Sequence, residues 1–317
     1  MFDTANISIF AGSGGQVFAE RMCKYMGKPL SSSEVITFSE GNTFVRINES
    51  VRDCDVFLVQ PIGMHSNNEF VEILFWMDAF KRANAHTVTL VMPYFGYAKG
   101  DKKDEPRVSI RARVCAECME LAGADRFVTM DLHAQQIQGF FKRPMDHLYA
   151  RPVLVPYLKQ LVGDDPVVVA PDSGSAKMAM NYGDMLGGGF AVVAKRRINA
   201  TTVASSHLVG DVRGKVCVIT DDLTSTCGTL IAAAKLLKEN GATKVYAAVS
   251  HCLLNETGQQ KLLNAPEIEA LVTTDAVPQT TDLGGKVKVV SIAPLLGEAI
   301  RRIHDGKSVS SLFYINH

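Results

Sequence analysis

Short apolar runs alternate with helix-like patterns along the whole chain of 317 residues, and this alternation constrains the fold more than any other feature. Runs such as Val167–Ala170 and Val216–Thr220 are rich in β-branched residues and have the length of buried parallel strands. Segments such as Thr229–Glu239 carry apolar residues at helical spacing. The pattern predicts an α/β protein in which mostly parallel sheets are flanked by helices.

The layout of the two halves of the chain is similar, which predicts two α/β domains. The boundary is expected near Tyr149, giving an N-terminal domain of residues 1–149 and a C-terminal domain of residues 150–317. The tail, residues 305–317, either stays with the second domain or packs back on the first. Within it, Ser308–Phe313 is a candidate strand of either domain.

Composition excludes several classes of protein. Lys and Arg together number 33, as do Asp and Glu, so the formal net charge is +0 and bulk electrostatic binding to nucleic acid or to a membrane surface is not expected. No apolar run approaches the roughly 18 residues of a membrane span, and the N-terminus lacks the features of a signal peptide. The seven cysteines are an odd number in a long chain, which indicates free thiols and a cytoplasmic protein.

The segment from Val216 to Thr229 holds the strongest candidate site. Two carboxylates, Asp221 and Asp222, stand where the strand is predicted to end, and small and hydroxyl residues lead from them to a predicted helix. Ligands of open α/β sheets bind at the carboxyl ends of strands, and a helix N-terminus favours an anion such as phosphate. The carboxylates would bind sugar hydroxyls, directly or through a divalent metal. The pattern predicts a sugar phosphate site; the alternative is an ordinary turn with solvated acids.

Other clusters follow predicted strands as well. Dense mixed charge over Tyr97–Arg107 suits triphosphate oxygens and a metal. Asp131 and His133 close one strand, and Pro171–Ser175 again combines an acid with small residues. The cations of Lys195–Arg197 would hold a phosphate group during its transfer. Each cluster has a simpler alternative, namely a solvated loop, a structural histidine or a solvated charged face.

Two short motifs are interpreted as structural. Gly12–Gly15 follows the first strand, but Val17 stands where the dinucleotide-binding pattern requires its last glycine. The chain also lacks the P-loop pattern, so ATP binding would be of another type. Cys115 and Cys118 form a single CxxC on a predicted helix, which indicates small buried residues rather than a zinc or redox site.

Together these motifs resemble those of the phosphoribosyl pyrophosphate synthetases, also called ribose-phosphate pyrophosphokinases. The resemblance extends from IFAGS near the N-terminus to SVSSLF near the C-terminus, and its most specific parts are DKKD, MDLHAQQIQGFF and the ordered set PDSGSAK, KRR and DDLTSTCGT. It implies two similar domains of the phosphoribosyltransferase type and a homo-oligomer built from dimers, with a hexamer as the expected assembly. It also implies transfer of the diphosphoryl group of ATP to the C1 hydroxyl of ribose 5-phosphate, with Mg²⁺ as cofactor and AMP as a product.

The resemblance further implies roles for individual residues. Lys195 and Arg197 would close over the transferred group, and His133 would act with them. His133 and Asp172 would hold Mg²⁺. The ribose 5-phosphate site would comprise Asp221, Asp222, Ser225, Thr226, Cys227, Gly228 and Thr229. The ATP site would comprise Phe38 from a neighbouring subunit, Glu40, Asn42, Lys99, Gly100, Asp101 and Lys102. A regulatory site for phosphate and ADP would include Ser50, Arg52, Arg107, Gln135, Ser308 and Ser310.

The chain departs from the family pattern at a few of these positions. Lys99 and Gly100 stand where the family usually has Arg-Gln, and Asn42 stands where it has Glu. Ser225 replaces the usual Asp before Thr-Cys-Gly-Thr. Two alternative functions remain beside synthesis of phosphoribosyl diphosphate. The departures support a non-catalytic paralogue that regulates true synthetase subunits. The loop that begins with Asp221 and Asp222 is shared with the other alternative, a base phosphoribosyltransferase.

Overall fold

The computed structural model describes residues 6–197, 203–278 and 283–313, and the chain within these ranges divides into two compact units. The N-terminal unit comprises residues 6–149, 276–278 and 292–313, and the C-terminal unit comprises the remaining described residues from 150 to 291. The structure thus differs from the assignment of residues 150–317 to one domain. The physical reason is the apolar face of the last helix, which packs on the first helix of the chain.

The N-terminal unit is built on a parallel sheet with its strands in the order β1-β4-β5-β6-β7. The strands are β1 (Ile7–Ala11), β4 (Asp55–Val59), β5 (Thr87–Met92), β6 (Arg126–Met130) and β7 (Met145–Leu148). A separate antiparallel hairpin is formed by β2 (Ser33–Thr37) and β3 (Thr43–Ile47). The helices are α1 (Gln16–Met26), α2 (Ser66–Arg82), α3 (Arg111–Ala122) and the last helix, α8 (Ala293–His304). The core includes Trp76, which stacks on Phe80.

The C-terminal unit contains a mixed sheet in the order β10-β9-β8-β11-β12-β13-β14. Its strands are β8 (Val167–Ala170), β9 (Gly189–Arg197), β10 (Val203–Val209), β11 (Val216–Thr224), β12 (Lys244–Cys252), β13 (Leu271–Thr274) and β14 (Val287–Val290). Its helices are α4 (Arg151–Val162), α5 (Ala176–Leu186), α6 (Gly228–Glu239) and α7 (Glu256–Leu263). Among the described strands of this sheet, only β9 and β10 pair antiparallel. The order of the strands reverses between β8 and β11, which is where open sheets bind ligands.

A carboxylate that accepts several hydrogen bonds connects the last helix to the sheet of the N-terminal unit. Asp55, at the start of β4, lies 2.7 Å from Nδ1 of His304 and 3.0 Å from Nδ1 of His86. The Thr87 hydroxyl also donates to Asp55, at 2.7 Å. On the neighbouring surface Gly297 allows α8 to approach α1 closely. Residues from the two ends of the chain therefore share one core.

Several predicted elements differ from the structure. The strand predicted to end at Thr220 continues to Thr224, because Asp221 pairs with Val249 and Thr224 pairs with Cys252 of β12. The candidate strand Ser308–Phe313 is wrong, since the chain forms a 3₁₀ turn over Ser310–Phe313. The strands β7 and β10 were not predicted from the sequence. In the described part of the chain, the helices are too short or too polar to cross a membrane.

Candidate active site

The candidate site begins at the carboxyl ends of β8 and β11, on either side of the reversal of strand order. Asp172 follows β8, and its carboxylate accepts a hydrogen bond of 3.0 Å from the backbone N–H of Gly174. Asp221 and Asp222 lie near the carboxyl end of β11, where the strand still pairs with β12. The Ser175 hydroxyl donates to Asp221 at 2.7 Å and so links the two strand ends. The three carboxylates predicted from separate motifs are thereby gathered in one place.

Burial gives one of these acids, Asp221, an unusual ionisation. Desolvation, together with the charges of Asp222 and Asp172, raises the pKa of the Asp221 carboxyl to about 7, against the lowering effect of the Ser175 hydrogen bond. Asp222 donates its backbone N–H to Asp221 at 3.0 Å and accepts from Leu223 N–H at 2.8 Å. The site is consequently rich in acceptor oxygens and gains from a bound cation or from hydroxyl donors.

A short loop leads from β11 into α6 and leaves the helix N-terminus open. Cys227 precedes the helix with a left-handed backbone (φ 55°), and its N–H donates to the Thr224 hydroxyl at 3.2 Å. The first turn of α6 contains no acidic residue. The first N–H groups of a helix lack intrahelical acceptors, and the helix dipole makes them attractive to an anion. Ser225, Thr226, Gly228 and Thr229 surround this end of the helix with hydroxyls and amides.

The loop is held in shape by the connection between β12 and α7. Leu253 N–H donates to the Thr224 carbonyl at 2.8 Å, and Asn255 N–H donates to the Ser225 carbonyl at 3.2 Å. The side chain of Asn255 accepts from Gly258 N–H at 2.8 Å and so caps α7. A Cβ on Gly258 would overlap with the Ser225 carbonyl oxygen and lie 3.1 Å from Cα of Thr226. The first turn of α7 therefore sets the position of the loop.

In the glycine loop after β1, by contrast with the open N-terminus of α6, protein side chains accept hydrogen bonds from the backbone N–H groups. Ser13 N–H donates to Glu72 at 2.9 Å, and Gly14 N–H donates to the Gln60 side chain at 3.0 Å. The Ser13 hydroxyl also donates to Glu72, at 2.5 Å. Buried protein acceptors occupy the amides that a dinucleotide phosphate would need. The geometry agrees with the structural interpretation of Gly12–Gly15.

The residues assigned to ATP lie on two elements of the N-terminal unit. Phe38 and Asn42 are at the exposed tip of the β2–β3 hairpin, where Phe38 N–H donates to the Asn42 carbonyl at 2.8 Å, and Glu40 is exposed between them. Lys99 ends a 3₁₀ turn over Gly96–Lys99 after β5. Gly100 is buried, whereas Lys102 is exposed and Asp101 is half-buried.

His133 lies beyond the carboxyl end of β6 and is exposed. The preceding Asp131 has a left-handed backbone (φ 37°), and Leu132 N–H donates to Nε2 of the buried His147 at 2.9 Å. The backbone of Lys195 and Arg197 belongs to β9, opposite Ser206 and Val203 of β10. The side chains of Lys195 and Arg197 lie outside the described part of the structure.

The residues assigned to regulation are all exposed in the N-terminal unit. Gln135 donates to the Tyr149 hydroxyl at 3.3 Å, and the ring of Tyr149 meets Phe313 edge-on at 5.6 Å. The Ser308 hydroxyl accepts from Ser310 N–H at 3.2 Å. Tyr149 thus connects Gln135 to the turn that carries Ser310. Arg107 has a left-handed backbone (φ 64°), and Ser50 and Arg52 are on the segment before β4.

Comparisons with known proteins identify the family. Residues 7–123 match the N-terminal domain of ribose phosphate pyrophosphokinase, and residues 197–314 match the phosphoribosyl synthetase-associated domain. Ribose-phosphate pyrophosphokinase A of Dictyostelium discoideum is 43% identical over 310 residues, covering 97% of this chain and 98% of the relative. The chain belongs to the ribose-phosphate pyrophosphokinase family. The ribose-phosphate pyrophosphokinase of Aquifex aeolicus is 41% identical over 308 residues, covering 97% of this chain and 99% of the relative.

A solved structure extends the match to three dimensions. The crystal structure of phosphoribosylpyrophosphate synthetase from Mycobacterium smegmatis superposes with a TM-score of 0.89 at 38% identity, covering 95% of this chain and 99% of the other. The resemblance to the ribose-phosphate pyrophosphokinase family and the α/β fold, both inferred from the sequence, are thereby confirmed.

The donor set suits the magnesium ion that the ribose-phosphate pyrophosphokinase family implies. Among the residues that the structure describes, no three His, Cys, Asp or Glu side chains converge as a metal cage. Mg²⁺ keeps several waters and is bound through one or two carboxylates together with substrate phosphates. Asp172, beside the charge-crowded Asp221, offers an oxygen donor of this kind. The residues present therefore fit Mg²⁺ bound together with substrate.

Sequence reasoning missed two structural parts of this candidate site. Ser175, which joins Asp221 to the β8 loop, stands in the PDSGS motif, but its partner comes from a strand 46 residues away. Asn255 and Gly258 are missed because their contacts with the β11–α6 loop arise only when β12 pairs with β11. An Asn followed three residues later by Gly is a signal for a helix cap, not for a substrate loop.

Proposed function

We propose that the protein transfers the diphosphoryl group of ATP to the C1 hydroxyl of ribose 5-phosphate, giving 5-phosphoribosyl 1-diphosphate and AMP. One observation carries the proposal: an open helix N-terminus and strand-end carboxylates lie together where the strand order reverses. The names of the full-length relatives support it. The glycine loop of the N-terminal unit offers no comparable site, because protein side chains occupy its amides.

In this proposal the two halves of the β11–α6 segment bind opposite ends of ribose 5-phosphate. The 5-phosphate lies on the loop of Ser225 to Thr229, where backbone N–H groups and hydroxyls donate to its oxygens. Asp221 and Asp222 accept hydrogen bonds from the ribose hydroxyls. Binding of both ends fixes the direction of the sugar and of its C1 hydroxyl.

The remaining assigned residues neutralise charge. Asp172 and His133 would hold Mg²⁺, which when bound neutralises part of the triphosphate charge. Lys195 and Arg197 would donate to the oxygens of the transferred group, in which negative charge spreads during transfer. Phe38, Glu40, Asn42, Lys99, Gly100, Asp101 and Lys102 would form the ATP site. Phosphoryl transfer asks little covalent chemistry of a protein, so positioning and charge stabilisation are the main contributions of the chain.

We also propose the cytoplasm as the location and a homo-oligomer of dimers, a hexamer, as the assembly. No nucleic acid or membrane partner is proposed, consistent with the balanced charge of the chain. Ser50, Arg52, Arg107, Gln135, Ser308 and Ser310 would form a site for phosphate and ADP. Size-exclusion chromatography with light scattering tests the assembly; a monomer at micromolar concentration would contradict it.

The reaction is tested with purified protein, Mg²⁺, ribose 5-phosphate and ATP, with AMP as the readout and each substrate omitted in turn. AMP formation that requires ribose 5-phosphate supports the proposal. No AMP formation, together with binding to an active homologue, would favour the regulatory paralogue. The departures from the family pattern at Lys99, Gly100, Asn42 and Ser225 support this alternative. Release of pyrophosphate from phosphoribosyl diphosphate and a base would favour the base phosphoribosyltransferase.

The double substitution Lys195→Ala with Arg197→Ala is expected to lower turnover by about 10²–10³-fold, because charge in the transition state loses its donors. The affinity for ribose 5-phosphate, measured by calorimetry, should stay unchanged. The matched control is Lys159→Ala with Lys244→Ala, which removes two exposed cations of the same unit outside the site. Equal turnover in both double variants would contradict the proposed role of Lys195 and Arg197 in transfer.

A further inference from the structure

The side chain of Arg111 lies directly over Gly100. A Cβ on Gly100 would be 2.6 Å from Nε of Arg111 and 2.9 Å from its Cβ, distances that real side chains do not tolerate. The backbone joins the same two segments, since Ala112 N–H donates to the Gly100 carbonyl at 3.2 Å. Gly100 therefore creates the space that the Arg111 side chain fills. The guanidinium is brought beside the Lys99–Lys102 segment by this packing.

The position of Arg111 in its helix is electrostatically unfavourable without an anion. Arg111 is the first residue of α3, and the first turn of α3 contains no acidic residue. A cation at a helix N-terminus opposes the helix dipole, which favours anions there. Within the described residues, Arg111 has no carboxylate within ion-pair distance, and it is exposed. The helix end and the guanidinium together present positive charge to solvent.

Arg113, two residues further along α3, shows what an ordinary surface arginine does in this helix. Its Nε and Nη2 donate to Glu117 at 3.1 and 2.8 Å, an i,i+4 ion pair on the exposed face. Arg111 has no such partner among the residues described. The two arginines therefore differ in their environment although they are close in sequence.

We propose that Arg111 is a nucleotide-binding residue whose guanidinium donates to the triphosphate of ATP. This inference rests on the proposed function, which assigns Lys99–Lys102 to the ATP site. The chain has Lys-Gly at positions 99 and 100, where the resemblance leads one to expect Arg-Gln. The guanidinium lost at position 99 is supplied from the start of α3, and the missing side chain at position 100 makes room for it. A guanidinium forks onto phosphate oxygens, which the ammonium of Lys99 cannot do.

The test is calorimetric binding of α,β-methylene-ATP, in which the bond broken during transfer is replaced, in the presence of Mg²⁺. Arg111→Ala should weaken binding of this analogue about tenfold or more, the usual effect of losing a charge-assisted hydrogen bond. The control Arg113→Ala should bind it as the wild type does. Adenosine, which has no phosphates, should bind Arg111→Ala and wild type equally. Ribose 5-phosphate affinity should be the same in all three proteins.

Two further variants test whether binding depends on the position of the guanidinium charge as well as on its presence. Gly100→Ala keeps Arg111 but leaves no room for its side chain, so it should also weaken binding of the analogue. Lys99→Arg, added to Arg111→Ala, restores a guanidinium nearby and should recover at least part of the affinity. This rescue would not occur if Arg111 only stabilised the fold.

The outcomes distinguish the two proposals. If wild-type protein binds the analogue and Arg111→Ala binds it equally well, the role of Arg111 is wrong and the proposed function stands. An equal loss for adenosine and for the analogue would contradict the triphosphate contact. If wild-type protein neither binds the analogue nor forms AMP, both proposals fail, whereas binding without AMP formation overturns only the reaction.

Discussion

At the scale of single residues, Asp221 combines its proposed role in ribose 5-phosphate binding with a cost in the stability of the ligand-free protein. Its pKa is about 7, chiefly because it is buried and also because Asp222 and Asp172 are close. In the unfolded chain an Asp has a pKa near 4. The folded protein thus retains a proton that the unfolded chain releases between about pH 4 and pH 7, so stability falls as the pH rises through this interval.

The substitution Asp221→Asn should therefore stabilise the ligand-free protein at pH 8 by about 1–2 kcal/mol and have little effect near pH 4. The same substitution should weaken ribose 5-phosphate binding, because the neutral amide is a poorer acceptor for sugar hydroxyls. Urea unfolding at the two pH values measures the first effect and calorimetry the second. Asp164→Asn, an exposed acid of the same unit, is the control and should change neither quantity. A parallel pH profile for Asp221→Asn and wild type would contradict the burial argument.

Single residues also show where sequence reasoning reached its limit. Asp172, Asp221 and Asp222 could be found because each follows a recognisable strand, and strand ends meet at one edge of a parallel sheet. The bond between Ser175 and Asp221 could not, because it depends on the register between β8 and β11. Arg111 could not either, since its approach to Gly100 follows from the packing of α3 on the preceding turn.

At the scale of elements, α7 determines the shape of the loop that precedes α6. The substitution Gly258→Ala would push its Cβ into the Ser225 carbonyl and Thr226. The loop must then shift, so ribose 5-phosphate affinity should fall about tenfold or more while the protein stays folded. Calorimetry measures the affinity for ribose 5-phosphate, and circular dichroism shows whether the variant stays folded.

Thr257→Ala is the matched control for Gly258→Ala, because Thr257 is the exposed neighbour on the same turn. It should leave the affinity for ribose 5-phosphate unchanged. Unaltered affinity in Gly258→Ala would show that the loop adapts without cost, and α7 would then have no positioning role.

Elements were predicted best where their pattern was strongly periodic or apolar. The strand β8 agrees with the predicted Val167–Ala170 because it is a continuous run of buried residues. The extension of β11 through Asp221 to Thr224 was missed since charged residues usually end a strand, yet pairing with β12 keeps this backbone extended. The short β7 reads MDHL, a sequence with little strand propensity, and it forms only because β6 offers a free edge.

At the scale of the whole molecule, Asp55 ties the last helix to the first sheet. Burial alone would raise the pKa of Asp55, but hydrogen bonds from Thr87, His86 and His304 outweigh burial and lower it. The stabilisation by a lowered carboxyl pKa is complete above the unfolded value near 4 and is lost as the pH falls through the folded value. Acid should therefore loosen this attachment of α8.

The substitution Asp55→Asn should lower the free energy of unfolding by about 1–2 kcal/mol at pH 7, and the difference from wild type should shrink at pH 3. Urea unfolding at both pH values provides the measurement. Asp78→Asn breaks an exposed pair with Arg82 and should cost much less than Asp55→Asn. An Asp55→Asn protein as stable as Asp78→Asn at pH 7 would contradict a role for the attachment.

The return of α8 to the N-terminal unit has a consequence for biosynthesis. Residues 6–149 leave the ribosome long before α8, and 155 residues separate position 149 from His304. At about 5–20 residues per second, that stretch takes about 8–31 s to translate. During this time the nascent chain exposes the apolar side of α1 that α8 later covers. The chain is thus most prone to aggregation while its second half is still being made.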